Sequence, residues 1–389
     1  MRVHWLIPVV AAAAFGQTSS PIAQEDAYWV QTCEGTVESS PGGQLRVRAD
    51  GPLIVRGAGQ ETIDYRLKKR VRVRDAAQAA ALLKRISFNV RREGALTRLV
   101  VAYPVDLSAS SELELRVPRS LARCVLETRL GSIEATGLDG AVDVRAAGGR
   151  IRMDDIGGGA TVRTGGGEIR LGRVGGFLRC FSGGGTIHAE RVGGEALFET
   201  AGGEIYIGEA RGPVHASTAG GNIRVRRAAA TVTAHTSGGM IDVIEADGPV
   251  IAESASGCIR VASANGVRLG SAGGTIQLRG VSGALLAATA SGNILAEIPS
   301  NARLEDSNLT TGRGDVTVFI PSNLAVTVQA HNEGKGMSGR IVSDFPEIQV
   351  RLGRFREARP AIAEGVLNGG GPQLWISATG GTIYLRRQD

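Results

Sequence analysis

The stretch Ile205-Tyr206-Ile207-Gly208-Glu209-Ala210-Arg211-Gly212-Pro213-Val214-His215-Ala216-Ser217-Thr218-Ala219-Gly220-Gly221-Asn222 is followed at once by another isoleucine, Ile223. Outward from it, isoleucine returns at 133, 151, 169, 187, 205, 223, 241, 259, 276 and 294, eighteen residues apart with one interval of seventeen. A small pair precedes nearly every one. A repeat this regular means that each copy is one structural unit stacked on the last. With isoleucine as position 0, apolar residues recur at 2, 5, 9 and 11, Thr or Ser at 13, and the small pair at 15 and 16. Alternation at 0/2 and again at 9/11/13 makes two short strands per copy, each turning every second side chain inward. The glycine break is expected to supply a turn that tolerates positive φ. Two such strands bury nothing alone. Stacked, they form parallel sheets around a narrow aliphatic core, with a right-handed sense favoured. The fold class is therefore all-β, a single-stranded parallel β-helix or β-solenoid of about 18 residues per coil.

Composition agrees. The chain is 42% apolar with 56 glycines in 389 residues and only 4% aromatics, which suits many tight turns between short aliphatic strands. The glycines do not fall every third residue, so collagen is excluded.

Four regions follow. Residues 1–16 read as an export signal: Arg2 and His4 give the positive start, 6–15 the apolar run, and Ala14-Phe15-Gly16 the small residues before cleavage, so that the mature chain begins at Gln17. No later stretch is apolar enough to span a bilayer, and the expected location is the periplasm, the cell surface or the medium. Residues 17–118 lack the repeat and form an α+β capping region. Strands are expected at 44–49, 53–56, 64–74, 87–92 and 96–103, with a hairpin turn at Arg92-Glu93-Gly94 and one helix, capped by Asp75, over 75–86. Residues 119–330 are the β-solenoid. In 331–389 the period lapses and then returns as Leu374, Ile376, Ala378, Gly380, Gly381 and Ile383, so the last coil is expected to come from the C-terminus, after an irregular excursion. Val117-Pro118, Ile298-Pro299 and Ile320-Pro321 replace the glycine turn, and proline, which has no ladder N–H, belongs at a corner.

In a solenoid, function should appear as an outward column. The position after each isoleucine reads Glu134, Arg152, Arg170, His188, Tyr206, Arg224, Asp242, Arg260, Gln277 and Leu295. Arg152 and Arg170 are candidate contacts for an anionic polymer; alternation of sign farther along points to ion pairing between coils. The Thr/Ser column at 164, 182, 200, 218, 236, 254 and 289 has inward parity, where its hydroxyls would satisfy turn backbone. No aspartate column of the calcium-roll kind exists, no metal site is expected, and His188, His215 and His235 fall on outward positions of separate coils. Asp154 and Asp155 are the nearest approach to a catalytic carboxylate pair, without an obvious partner. In the capping region Arg66, Lys68, Arg70, Arg72 and Arg74 alternate onto one face of the expected strand at 64–74, a face that would attract anionic lipid headgroups or acidic polysaccharide, or else protect a sheet edge. Nucleic acid does not fit an exported chain so poor in aromatics.

The Gly-Gly-x-Ile phrases, the proline-turn phrases at 117–121 and 320–324, Ser343-Asp344-Phe345-Pro346, and the closing 369–371 before Ala378-Thr379-Gly380-Gly381-Thr382-Ile383 resemble a bacterial domain-of-unknown-function family known as "putative adhesins". The resemblance spans roughly 110–389. It implies a β-solenoid and surface attachment, with no cofactor and no catalytic residues to carry over. The resulting expectation is a non-enzymatic, exported, adhesin-like or envelope-associated structural element, whose partner is an envelope polysaccharide, an anionic lipid surface or another surface protein. The alternatives are a carbohydrate-active β-helix enzyme and an anionic-ligand-binding module built on the basic N-terminal region. Four cysteines in an exported chain suggest pairing. Coil counting separates Cys124, Cys180 and Cys258 too widely to meet, and leaves Cys33–Cys124 as the expected disulfide.

Overall fold

Alternating burial becomes paired parallel ladders in each of the two units into which the chain divides, 1–183 and 184–389. The computed structural model describes residues 15–104, 109–334, 339–351 and 360–388. Residues 1–14, most of the expected export signal, lie outside the described residues. Among those described, no helix is long and apolar enough to cross a membrane.

The first unit begins with the strands β1 (Phe15–Ser19), β2 (Ala23–Glu25), β3 (Tyr28–Glu38), β4 (Gln44–Ala49), β5 (Leu53–Ala58), β6 (Thr62–Val71), β7 (Ser87–Glu93), β8 (Leu96–Ala102), β9 (Ala109–Pro118), β10 (Arg123–Thr128) and β11 (Ile133–Leu138), with the helix α1 (Ala76–Lys84) between β6 and β7, and five more strands carry the stack on to Ser182. Two sheets run through the unit. In the isoleucine sheet, Ile133 stacks on Ile151 and Ile151 on Ile169, and every member is at most 1% exposed. In the threonine sheet, Val142 stacks on Ala160, and Ala160 on Leu178.

The parallel ladder reaches back to Gln44, well inside the stretch that the sequence assigns to the cap. β4 pairs in parallel with both β10 and β8, and β5 with both β11 and β9. The coil made by β4 and β5 thus lies between the coil of β8 and β9 and that of β10 and β11, out of chain order. Its turn is Asp50-Gly51-Pro52 instead of a Gly-Gly-x-Ile phrase, which hides it from the repeat, yet Leu45, Val47, Leu53 and Val55 are fully buried as any coil requires. The ladder then closes by switching from parallel to antiparallel pairing: β6 pairs antiparallel with β9, β3 with β6, β1 and β2 with β3, and β7 with β8. α1 covers this end. Asp75 accepts from the Gln78 N–H at 2.8 Å as the N-cap, and Ala79, Leu83 and Ile86 are buried.

In the second unit the isoleucine row runs 187, 205, 223, 241, 259, 276 and 294 and continues through Val316. The C-terminal strand Gln373–Gln388 serves both sheets. Its first half pairs with Ser307–Arg313 and its second with Val316–Pro321. It is not the last coil, as the sequence suggests. Val326–Asn332 and Gly339–Ser343 stack on its other side, and the threonine sheet continues beyond them with antiparallel Ala361–Leu367 and then antiparallel Gln349–Arg351. The sequence register of 374–383 is right; its neighbour on the far side comes from an earlier part of the chain.

In most coils the small pair acts through close approach and not through positive φ, although Gly131, Gly314 and Gly381 at the same corner do have positive φ. Neither Gly220 nor Gly221 is among the positive-φ residues. A Cβ on Gly221 would lie 2.0 Å from the carbonyl oxygen of Gly203 in the stacked turn, and one on Gly239 would lie 1.9 Å from that of Gly221. Around Gly220 a Cβ would meet nothing within 4 Å. The second glycine is the one the stack requires.

The inward Thr/Ser column locks the same corner. Thr236 Oγ1 donates to the Gly221 carbonyl at 3.0 Å and accepts from the Gly239 N–H at 3.1 Å. Thr218 repeats this with Gly203 and Gly221, and Thr164 with Gly149 and Gly167. Near the end of the second unit Asn332, fully buried, takes over, donating to the carbonyls of Arg340 and Gly381. Each hydroxyl satisfies one donor and one acceptor that the turn leaves unpaired. Thr236→Val keeps the volume and removes both bonds, so it is expected to cost about 1–3 kcal/mol in urea unfolding, whereas outward Thr233→Val should stay within about 0.5 kcal/mol.

Candidate functional site

The basic strand 64–74 is not a sheet edge. β6 ends at Val71 and lies between β3 and β9. Arg66 faces Glu34 on one neighbour and Glu114 on the other, and its Nε meets Glu34 Oε1 at 2.6 Å. Lys68 sits beside Glu112 and reaches Glu25 at 2.7 Å. This half of the row is matched by acids from distant parts of the chain. Arg70 faces Val30 and Ser110, and Arg72 and Arg74 lie exposed beyond the strand. The single-signed face therefore shrinks to 70–74. Beside Arg66 an open cleft of about 460 Å³ is lined by Arg56, Arg66 and Arg116 together with Glu34, Asp64 and Glu114. Both signs meet any ligand there.

The outward columns are ion-pair ladders over much of their length. In the second unit Arg224 and Asp242 stand in register and pair at 3.0 Å, as do Arg227 and Glu245 at 3.5 Å. His188 stacks on Tyr206 with ring centroids 4.4 Å apart, and its Nε2 lies 2.6 Å from Glu190. In the first unit the column Glu134, Arg152, Arg170 is in register; Arg170 pairs with Glu168, which also takes Arg150 at 3.1 Å. Exposed pairs of this kind are each worth under about 1 kcal/mol. Their effect is mainly to keep the stacked charges mutually compensated.

Asp154 and Asp155 do have partners, and those of Asp155 argue against a general-acid role. Asp154 Oδ1 accepts from the backbone N–H of Asp155 at 2.8 Å and of Arg173 at 2.9 Å. The Asp155 carboxylate sits between Arg173 and Arg119, the latter at 3.0 Å, and Arg119 also reaches Asp139 at 3.2 Å. Hydrogen bonds first from Arg173 and then from Arg119 hold the Asp155 carboxyl below the usual carboxylate range. It stays ionised at neutral pH and has no proton to give. The four side chains fasten successive coils at their corner. Among the described residues no group of three or more His, Cys, Asp or Glu is placed to hold a metal ion.

The expected Cys33–Cys124 disulfide is not formed: all four cysteines are free. Cys33 lies in β3, which is separated from the coil of β10 and β11 by β6, β9 and β5. Four strand steps are about 19 Å, far beyond the ~7 Å that a disulfide spans between Cα atoms. The layers of the cap do not show in the repeat. Burial pushes the Cys124 thiol up to about 12 and the Cys180 thiol upward as well, so both are inert core groups.

Sequence reading also passes over an exposed aromatic. Trp375 lies between inward Leu374 and Ile376, so parity alone sends it outward, but its neighbours across the sheet depend on the out-of-order stacking of the C-terminal strand.

No curated protein matches the chain. Two solved structures are similar to it: a "putative cell adhesion protein" from Clostridium sporogenes ATCC 15579, at 8% identity and TM-score 0.19, covering 91% of this chain and 99% of that one, and a "putative adhesin" from Bacteroides fragilis NCTC 9343, at 12% identity and TM-score 0.22, covering 74% and 95%. At such scores neither likeness bears on the activity of this chain. The family described as Toastrack DUF4097 matches over residues 191–340, all in the second unit.

Proposed function

We propose that this protein is a non-enzymatic, exported, adhesin-like or envelope-associated structural element. The observation that carries the reading is where the charged side chains go. Arg224 with Asp242, Arg227 with Glu245, and Arg119 with Asp155 are committed to holding one coil to the next. An enzyme would need such groups convergent in a water-excluding cleft.

Contact with an anionic envelope component is assigned to Arg70, Arg72 and Arg74, the part of the basic row without acidic cross-strand neighbours. The test is sedimentation of the protein with vesicles of anionic phospholipid and with purified envelope polysaccharide across a salt series. Arg70, Arg72 and Arg74 changed together to Gln should weaken vesicle binding roughly tenfold or more, at about 1 kcal/mol per basic residue near the surface, and flatten its salt dependence. The pair Arg66→Gln and Lys68→Gln should do neither. Failure of the wild-type chain to bind any envelope fraction would overturn the adhesive reading, and equal effects of the two variant sets would overturn the assignment within it.

A further inference from the structure

The outward face of the threonine sheet near the end of the second unit is chemically unlike the rest of the described surface. Across adjacent strands one row reads Leu286, Asn308, Trp375, Gln329 and Glu364, and the next Ala288, Thr310, Ser377, His331 and Ile362. Within these rows Glu364 and the His331 imidazole are the acidic and basic groups, and Arg268 beyond Leu286 and Arg351 beyond Ile362 flank them. Trp375 is 38% exposed and lies nearly parallel to the His331 ring, 4.9 Å between centroids and 16° between planes. Its backbone is fixed by fully buried Leu374 and Ile376 on either side. Asn308 Oδ1 accepts from Thr310 Oγ1 at 2.9 Å.

An exposed indole held rigid by its strand offers a flat apolar platform at low entropic cost, and the residues beside it supply neutral donors and acceptors. Asn308 and Gln329 stand one strand to either side of Trp375, about 10 Å apart, so an amide flanks the indole on each side; His331 covers one face of the ring, and a sugar ring would lie on the other. No fixed charge stands directly beside the indole for an ionic ligand to pair with. Aliphatic ones would leave the amides unpaired, which is costly. We propose that this face binds a neutral saccharide, with Trp375 as the platform for a pyranose ring and Asn308 and Gln329 as hydrogen-bond partners of its hydroxyls. The proposal deepens the adhesive reading and rests on it.

The experiment uses the full chain against immobilised neutral oligosaccharides of glucose, galactose and N-acetylglucosamine, at low and high salt, alongside whole envelope fractions. Wild type is expected to be retained by at least one neutral glycan with little salt dependence. Trp375→Ala should lose roughly tenfold or more of that affinity, the rigid aromatic ring being the main apolar contact, with the fold retained. Asn308→Ala should give a smaller loss. Retention of wild type and Trp375→Ala to the same extent overturns the proposal while leaving envelope adhesion intact. So does a concentration-dependent dimer abolished by Trp375→Ala, which would make the face a contact between copies. Absence of binding to neutral glycans and to every envelope fraction removes both readings.

Discussion

A chain ending at Pro372 is expected to be insoluble, or to be cut back by protease well before its new end. The segment removed is an interior layer of the second unit. It pairs with Ser307–Arg313 and Val316–Pro321 on one side and with Val326–Asn332 and Gly339–Ser343 on the other. Leu374, Ile376, Ile383 and Leu385 are fully buried within it, each worth about 2 kcal/mol of apolar burial. Losing them also strands the 326–367 excursion, which reaches the preceding coil by way of the missing strand, and leaves a raw parallel edge. Soluble yield and limited proteolysis read the outcome. A soluble truncated protein with wild-type melting behaviour would show that the C-terminal strand is an appendage instead.

Two neighbouring glycines should respond in opposite ways to the same methyl group. Gly221→Ala drives Cβ to 2.0 Å from a backbone carbonyl that no rotamer change can move, so the coil itself must shift. That shift pulls on the Thr236 hydroxyl, which donates to Gly221 O. Overpacking of this kind costs about 1–3 kcal/mol, occasionally more. Gly220→Ala meets open space at a φ that L residues adopt, and is expected to be neutral or to stabilise by about 0.4–1 kcal/mol through the unfolded chain. Urea midpoints, with hydrogen exchange at Ile223–Ala228 as a local monitor, compare the two. Equal midpoints would mean that the turns are loose enough to part, and would sink the close-approach account.

The core was legible in the sequence because stacking makes periodicity a direct record of burial: Ile205, Ile207, Ala210, Val214, Ala216 and Thr218 are all inward as the repeat implies. Asp75, the Arg92–Gly94 turn and the twenty-two-residue step from Ile294 to Val316 were legible too, since each is a local signal. Order of stacking was not. Alternation in β4 and β5 states which side chains are buried, yet it is silent on which strand lies alongside, so the coil they form could be placed only by structure. The glycine pair misled for a related reason, because glycine answers equally to positive φ and to a close neighbour. On the basic row, single-strand alternation was correct; the compensating Glu34, Glu112 and Glu114 come from strands far away in sequence.

Coils of seventeen, eighteen and twenty-two residues all leave the inward row of the second unit unbroken. Extra or missing residues are absorbed at corners, whereas a one-residue slip inside a strand would turn every side chain of that strand to the wrong face. Because each required glycine meets another glycine, one coil is interchangeable with the next at its seams. Recombination between repeated segments of the gene could therefore add or drop a whole coil in one step, leaving every stack in register. The number of coils is inherited as a count of repeats, and it can vary without any new packing having to be found.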